Sequence, residues 1–320
     1  MTADPSLPLV IVNPASASGN TRSAWARMAS ELRTHFGAFA VEFTSGRDDG
    51  RRLAREAAAK GMKLIIACGG DGTISEVANG ILESNEPAEL GILPSGTGGD
   101  FRRTLKLPAN TRGAARALKD GRSRLIDVGR VGFVNHSGKH ENRFFVNVAS
   151  FGLSPDVLKR SSAGEGGKWT AALGADRIRG KLSYAMSTVS ATLSASIKDV
   201  YVQFDDEPER RLKVTELCVA NARYFGGAMK IAPDAKLDDG LFDVVTIGDI
   251  GTVKILTSAS RLYFGSHLSM DQVGHTLAKR IIARPANQNE KLAVELDGEL
   301  VGLLPVTFQI VPGALRVRCP

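Results

Sequence analysis

Gly69-Gly70-Asp71-Gly72-Thr73 follows directly on the apolar run Leu64-Ile65-Ile66-Ala67-Cys68. The run reads as a short strand buried on both faces, and the residues from Ile74 onward read as the start of a helix. Glycines between a strand and a helix bring backbone N–H groups up to a ligand with no Cβ in the way, which suits phosphate oxygens. Asp71 fits beside a polyphosphate if it holds Mg²⁺ or a hydroxyl, because a bare carboxylate would repel the phosphates. A second turn is built alike: Leu93-Pro94-Ser95-Gly96-Thr97-Gly98-Gly99-Asp100-Phe101 passes from an apolar strand through glycines to an acid. One such loop is a weak signal. Two on adjacent strand ends, each with a Thr and an Asp, point to phosphoryl transfer.

The elements around these turns alternate. Strands are expected at Leu7–Val12, Phe39–Thr44, Leu64–Cys68 and Leu90–Leu93, and helices at Arg22–Phe36, Arg51–Lys60, Ile74–Leu82 and Arg112–Lys119. This order implies parallel strands with helices on both faces, and ligands beyond the strands' carboxyl ends. The turns at Asn13, Gly69 and Pro94 should meet on that edge. From about residue 128 short strands dominate: Phe144–Val148, Val200–Phe204, Leu217–Asn221, Leu241–Ile247, Lys279–Arg284, Leu292–Leu296 and Val306–Val311. They suggest an antiparallel sandwich, interrupted by helices at Leu182–Leu193 and Thr252–Phe264. In the second helix Val253, Leu256, Ala259 and Leu262-Tyr263 form an apolar stripe expected to face the core. The glycine-rich stretch Ser161–Lys168, followed by Trp169, Arg177, Arg179 and Lys181, fits neither pattern. It could touch a membrane interface.

At 320 residues two domains are expected. No apolar run approaches the roughly 18–20 residues that cross a bilayer, and the N-terminus lacks the regions of a signal peptide. Cys68, Cys218 and Cys319 are unpaired in spacing, which suits a reducing compartment and small core residues. The formal charge of +7 could attract a nucleotide or an anionic membrane. Few aromatics and no recognisable reading helix argue against nucleic acid. The GxxxxGK[ST] pattern is absent, which excludes a P-loop enzyme, and no usable GxGxxG follows the first strand, which argues against a Rossmann dehydrogenase. His136 and His140, four apart in a polar turn, make a poor metal site.

Asn13-Pro14 with Ser18-Gly19, Gly69–Thr73 with Glu76, and Leu93–Phe101 resemble the catalytic domain of diacylglycerol and sphingosine kinases, most closely the soluble bacterial lipid kinases. The resemblance continues through Asn147–Gly152, Tyr224–Met229, Pro233–Phe242 and Leu296–Glu299. It implies a Rossmann-like α/β nucleotide-binding domain (1–127, completed by 305–320), an antiparallel β-sandwich lipid-binding domain (128–304), and an active site in the cleft between them. ATP would contact Asn13, Thr44, Gly69, Gly70, Asp71, Gly72, Thr73, Ile74, Ser75, Gly96, Thr97 and Asp100. Asp71 would position Mg²⁺–nucleotide or help orient the acceptor, and Glu299 holds the family's proton-acceptor position. Mg²⁺ would be held by Asp239 and the carbonyls of Lys236 and Leu241, hard oxygen donors suited to that ion. Gly99 stands where most members carry Asn.

The chemistry is consistent with those roles. Phosphoryl transfer needs in-line positioning and neutralised charge, and a carboxylate within hydrogen-bond reach of a lipid hydroxyl can take its proton. The expectation is an ATP-dependent lipid kinase acting on diacylglycerol or a related alcohol. It would be cytoplasmic and peripheral to the inner membrane face, with a homodimer left open. An NAD kinase, which shares a GGDGT loop, and a catalytically silent lipid-binding protein are the alternatives.

Overall fold

The computed structural model describes residues 7–96, 99–135, 137–162 and 197–320, without the side chains of 159–162, 252 and 256. Thr97, His136, the glycine-rich stretch beyond Ser162, Trp169, Arg177, Arg179, Lys181 and the helix expected at 182–193 lie outside the described residues.

The first half alternates strand and helix: β1 (Leu9–Val12), α1 (Asn20–His35), β2 (Ala40–Phe43), α2 (Asp49–Ala59), β3 (Leu64–Gly69), α3 (Asp71–Ser84), β4 (Glu89–Pro94), α4 (Asp100–Thr104) and α5 (Thr111–Asp120). The four strands pair in parallel in the order β2-β1-β3-β4. All six residues of β3 are buried, as expected of a parallel strand covered on both faces. One face packs α2, α3 and α4 through Ala54, Ile74, Val77 and Phe101; the other packs α1 and α5 through Met28, Leu32, Ala115 and Leu118.

The second half follows with β5 (Arg122–Val134), β6 (His140–Phe145), β7 (Val148–Gly152), α6 (Leu153–Ser162), β8 (Lys198–Phe204), β9 (Arg210–Val214), β10 (Glu216–Ala220) and β11 (Phe242–Ile247). After these come α7 (Thr252–Phe264), β12 (Val273–Ala278), β13 (Arg280–Pro285), β14 (Ala293–Leu296) and β15 (Glu299–Cys319). These strands pair antiparallel around Phe145, Phe151, Phe242 and Phe308. The architecture is thus a Rossmann-like α/β domain joined to an antiparallel β-sandwich. The join is β15. Its first residues pair with β14, its middle with β5 and β13, and Arg316–Val317 runs parallel to β4 in the first sheet.

Several sequence expectations change. Phe144–Val148 is not one strand: β6 stops at Phe145 and β7 begins at Val148, because the intervening N–H groups bind a carboxylate instead of a ladder partner. Val306–Val311 is the middle of a 21-residue strand. The strands β5, β9 and β12 lie outside the strands expected from the sequence. Of the stripe's described side chains on α7, only Leu262 turns toward the core. Val253 is 76% exposed and Tyr263 48%, with Ala259 also exposed, while Ile255, Ser258 and Leu262 form the half-buried side. That side meets Ile231, Ala232 and neighbours through Leu262. Among the described residues no helix is long and apolar enough to cross a membrane.

Candidate active site

The carboxyl ends of β1, β3 and β4 are sewn together. Asn13 N–H donates to the Cys68 carbonyl at 3.0 Å and Ser95 N–H to the Gly69 carbonyl at 2.9 Å. The Asn13 side-chain amide donates to Thr73 Oγ1 at 3.0 Å, and Thr21 Oγ1 meets Ser95 Oγ. The glycines are needed for close approach. A Cβ on Gly69 would run into the Thr73 side chain, and one on Gly96 would stand 3.0 Å from the Gly70 Cα. The two glycine turns therefore touch each other. Above Gly70 the space is open. The N-terminus of the 14-residue helix α3 faces it, with first-turn N–H groups that have no partner within the helix.

Asp71 has a different partner from the ones its type suggests. Its Oδ2 accepts from Gly99 N (2.8 Å) and Asp100 N (3.1 Å), and its Oδ1 from Phe101 N (3.1 Å). The first turn's acid caps α4, locking the second turn to the first. Gly99 sits at φ +69°, the left-handed region that glycine and asparagine tolerate best, so glycine suits the turn. Asp100 looks the other way. It is 4% exposed and accepts from Gly227 N (2.8 Å), Ala228 N (2.7 Å) and Arg103 Nη1 (2.7 Å). Burial, with Asp71 adding repulsion, raises its pKa. Its oxygens are engaged by the sandwich domain rather than turned toward Gly70, where the nucleotide was expected.

Beside the turns lies a cleft of about 730 Å³, lined by Asn13, Pro14, Gly19, Arg22, Thr44, Arg47 and Glu76 among others. Glu76 forms its floor: Oε1 accepts from Asp48 N and Oε2 from Gly50 N, both at 2.9 Å, so it caps α2. Burial raises its pKa, and nearby Glu299 adds to the rise. Ile74 is 1% exposed, in the core, and supports the turn from behind. Ser75, 9% exposed, bonds Asp297.

Glu299 opens β15 after a two-residue hairpin. Leu296 pairs with Glu299, and Asp297 (φ +49°) and Gly298 (φ +90°) make the turn, the Asp-Gly chemistry of a tight β-hairpin. Asp297 anchors it: Oδ2 accepts from Val146 N (2.9 Å), and Oδ1 from Asn147 N (2.9 Å) and Val148 N (3.2 Å). Burial pushes its pKa up to about 6 against the pull of those donors. Glu295 accepts from Gly298 N and from Ser150 Oγ, both at 2.7 Å, and burial raises it to about 7. The hairpin brings the Glu299 Oε1 to within 3.4 Å of where a Cβ on Gly72 would stand. The acid from the far end of the chain thus lies against the first glycine turn, flanked by Arg47 and Arg143. Those two arginines, with Glu295, escaped the sequence reading. Single residues in strands and turns carry no spacing signal, and only the glycine turns announced the site.

The turn Lys236–Leu241 hangs elsewhere. Leu241 N–H donates to Asp239 Oδ1 (3.1 Å), and Gly240 N–H to the buried Asp127 (2.7 Å). Among the described residues no three His, Cys, Asp or Glu side chains gather as a metal site. One exposed carboxylate with neighbouring carbonyls, Lys236 and Leu241 among them, fits a hard, largely hydrated cation such as Mg²⁺ and no softer metal. The hydrogen bonds of this turn run to Asp127, not to the glycine turns.

Residues 8–131 match the diacylglycerol kinase catalytic domain family, and residues 163–319 match the YegS C-terminal NAD kinase beta sandwich-like domain. The diacylglycerol kinase of Staphylococcus epidermidis is 31% identical over 263 residues, 80% of this chain and 74% of that protein. The diacylglycerol kinase of Bacillus subtilis is 28% identical over 304 residues, 93% of this chain and 91% of that protein. A crystal structure of a candidate diacylglycerol kinase from Bacillus anthracis superposes with a TM-score of 0.73 at 25% identity, covering 98% of this chain and 97% of that one.

Proposed function

The chain belongs to the diacylglycerol kinase family, and from that membership we propose that it transfers the γ-phosphate of ATP to the hydroxyl of diacylglycerol or a related lipid alcohol. The observation that carries this reading is Glu299 standing against Gly72, so that a base from the sandwich domain meets a phosphate turn of the α/β domain. ATP fills the cleft beside Asn13 and Thr44, with its phosphates toward the open side of Gly70 and the N-terminus of α3. Thr73 and Gly96 shape that turn, and Thr97, outside the described residues, follows Gly96 in sequence. The acceptor hydroxyl approaches from the sandwich side, and Glu299 takes its proton as the oxygen attacks. Asp71 positions both turns, while Asp100 and Asp297 fix the two domains' loops around them.

Mg²⁺ held by Asp239 and the carbonyls of Lys236 and Leu241 would neutralise charge in that turn, and the nucleotide carries its own divalent ion as kinase substrates do. The lipid is drawn from a membrane surface to which the protein binds peripherally. The intact set of Asp71, Asp239 and Glu299 speaks against a silent lipid-binding protein.

The test is to incubate the protein with γ-labelled ATP, a total lipid extract and, in parallel, NAD. Label on a lipid alcohol supports the reading. Label on the dinucleotide alone overturns it in favour of an NAD kinase. Glu299→Gln should retain the fold and lose at least roughly 10²-fold in turnover, the scale of a missing general base. Near-normal turnover of that variant on well-presented lipid removes Glu299 from the base role.

A further inference from the structure

Two arginines bracket Glu299, and they are held differently. Arg143, on β6, places Nη1 3.9 Å from Glu299 Oε2 and Nη2 3.3 Å from Asp48 Oδ1; its side chain is 20% exposed. Arg47, in the turn after β2, places Nη2 3.4 Å from the same Glu299 oxygen and 3.5 Å from the Leu300 carbonyl. Its side chain is 63% exposed and lines the nucleotide cleft. Contacts at the outer edge of hydrogen-bond range, made by an exposed side chain, cost little to break. Each arginine makes two such contacts, but the Arg143 side chain is largely covered by its surroundings and the Arg47 side chain is not. Arg47 is free to leave.

The geometry of transfer says where Arg47 would go. With Glu299 as the base, on which this inference rests, the acceptor oxygen lies about 3 Å from the carboxylate and the phosphorus about 3–3.5 Å further on. The γ-phosphoryl group therefore sits within roughly 7 Å of Glu299 Oε2, by the sum of those distances, and within one side-chain swing of Arg47. We propose that Arg47 is a catalytic ligand of the γ-phosphoryl group, resting on Glu299 in the free protein and passing to the phosphate when ATP fills the cleft, while Arg143 stays on Glu299.

The exchange does two things at once. A guanidinium reaches the equatorial oxygens of the γ-phosphate, where its planar fork pairs with two of them. Glu299 loses one of its two cationic neighbours as a proton is about to reach it. As the acceptor oxygen bonds to the γ-phosphorus, the bond from that phosphorus to the β,γ-bridging oxygen breaks. ADP leaves with the electron pair, and the hydroxyl proton ends on Glu299. Arg47 neutralises the charge spread over the phosphoryl oxygens, a role that other phosphoryl-transfer enzymes give to an arginine finger.

The experiment compares wild type, Arg47→Ala and Arg47→Lys as full chains. It measures calorimetric binding of a non-hydrolysable β,γ-imido ATP analogue and of ADP, alongside kcat and KM on diacylglycerol micelles. Arg47→Ala should bind the triphosphate at least about 10-fold more weakly, bind ADP unchanged, and lose at least roughly 10²-fold in kcat, with Lys recovering part of each. Thermal midpoints should coincide, because the side chain is mostly exposed. Equal weakening for triphosphate and diphosphate, or no change in either, overturns the assignment. If wild type labels no lipid while Arg47→Ala still separates triphosphate from diphosphate, the acceptor reading fails and Arg47 keeps its place at the γ-phosphate. If wild type turns over normally and Arg47→Ala matches it, Arg47 alone is removed.

Discussion

Glu295→Gln should make the protein more stable at high pH and leave it nearly unchanged at low pH. Glu295 lies on β14 with its carboxyl wholly inside the sandwich, one oxygen taking the Gly298 N–H and the other the Ser150 hydroxyl. Glu216 and Asp297 are its acidic neighbours. Glu216, capping α6 through Ser154 N–H, is itself raised to about 7, mainly by burial and partly by Glu295. Asp297 adds repulsion from the hairpin side. In the unfolded chain Glu295 titrates near the ordinary 4.5, and in the folded protein at about 7. The folded state holds the proton more tightly. Its stabilisation is fully present below pH 4.5 and is lost as pH rises through 7.

At about 1.4 kcal/mol for each tenfold difference in proton affinity, the loss between pH 5 and pH 8 amounts to about 2–3 kcal/mol. A glutamine reproduces the neutral acid: its oxygen can accept from Gly298 N–H and its amide can donate to Ser150 Oγ. Urea unfolding of both proteins at pH 5 and pH 8 reads the difference directly. Groups common to both, such as the buried His267 with its lowered pKa, cancel. The variant should gain about 2–3 kcal/mol on wild type over that range, or roughly 4–8 °C in Tm. An advantage that does not move with pH, or a uniform loss, would show that Glu295 is not a buried neutral acid, and the argument would fall.

Two further outcomes follow from the same geometry. Asp71→Ala removes the acceptor of three backbone N–H groups, and should cost about 2–4 kcal/mol of stability on the scale of a lost charge-assisted cap, besides at least roughly 10²-fold in turnover. An unchanged midpoint in calorimetry would mean that the carboxylate serves the nucleotide alone. Binding to anionic liposomes should weaken between 0.1 M and 1 M salt, as screening tightens from about 10 Å to about 3 Å. Salt-independent binding would shift the contact to apolar insertion and bring the exposed Val253 and Phe264 of α7 under test.

The parts legible in the sequence are those where chemistry is local. Strand, glycines, acid and helix start lie within a dozen residues, so both glycine turns and the parallel order around them could be read from spacing. The long-range pairings could not. Asp71 finds its donors 28 to 30 residues on, and Asp100 meets Gly227 and Ala228 over 120 residues later. No periodicity encodes either link. The 21 residues of β15 were hidden by polar and glycine positions that read as breaks, although the strand serves both domains in turn. The face of α7 was misjudged because an apolar stripe shows which side is greasy, not which side is covered.

The arrangement of acids narrows the choice of base. Asp71, Asp100, Asp127 and Asp297 all lie in or beside the motifs, and each spends its oxygens on two or more backbone N–H groups. A carboxylate so engaged is committed to holding loops, because taking a proton would turn one acceptor into a donor facing donors. Glu76 is committed in the same way to the start of α2. Glu299 is the exception. Among the described residues its partners are two arginines at 3.4 and 3.9 Å, no backbone N–H donates to it, and it faces the first glycine turn. The motifs thus set their aspartates as fasteners and leave one glutamate with lone pairs to give, which is the condition a proton acceptor has to meet.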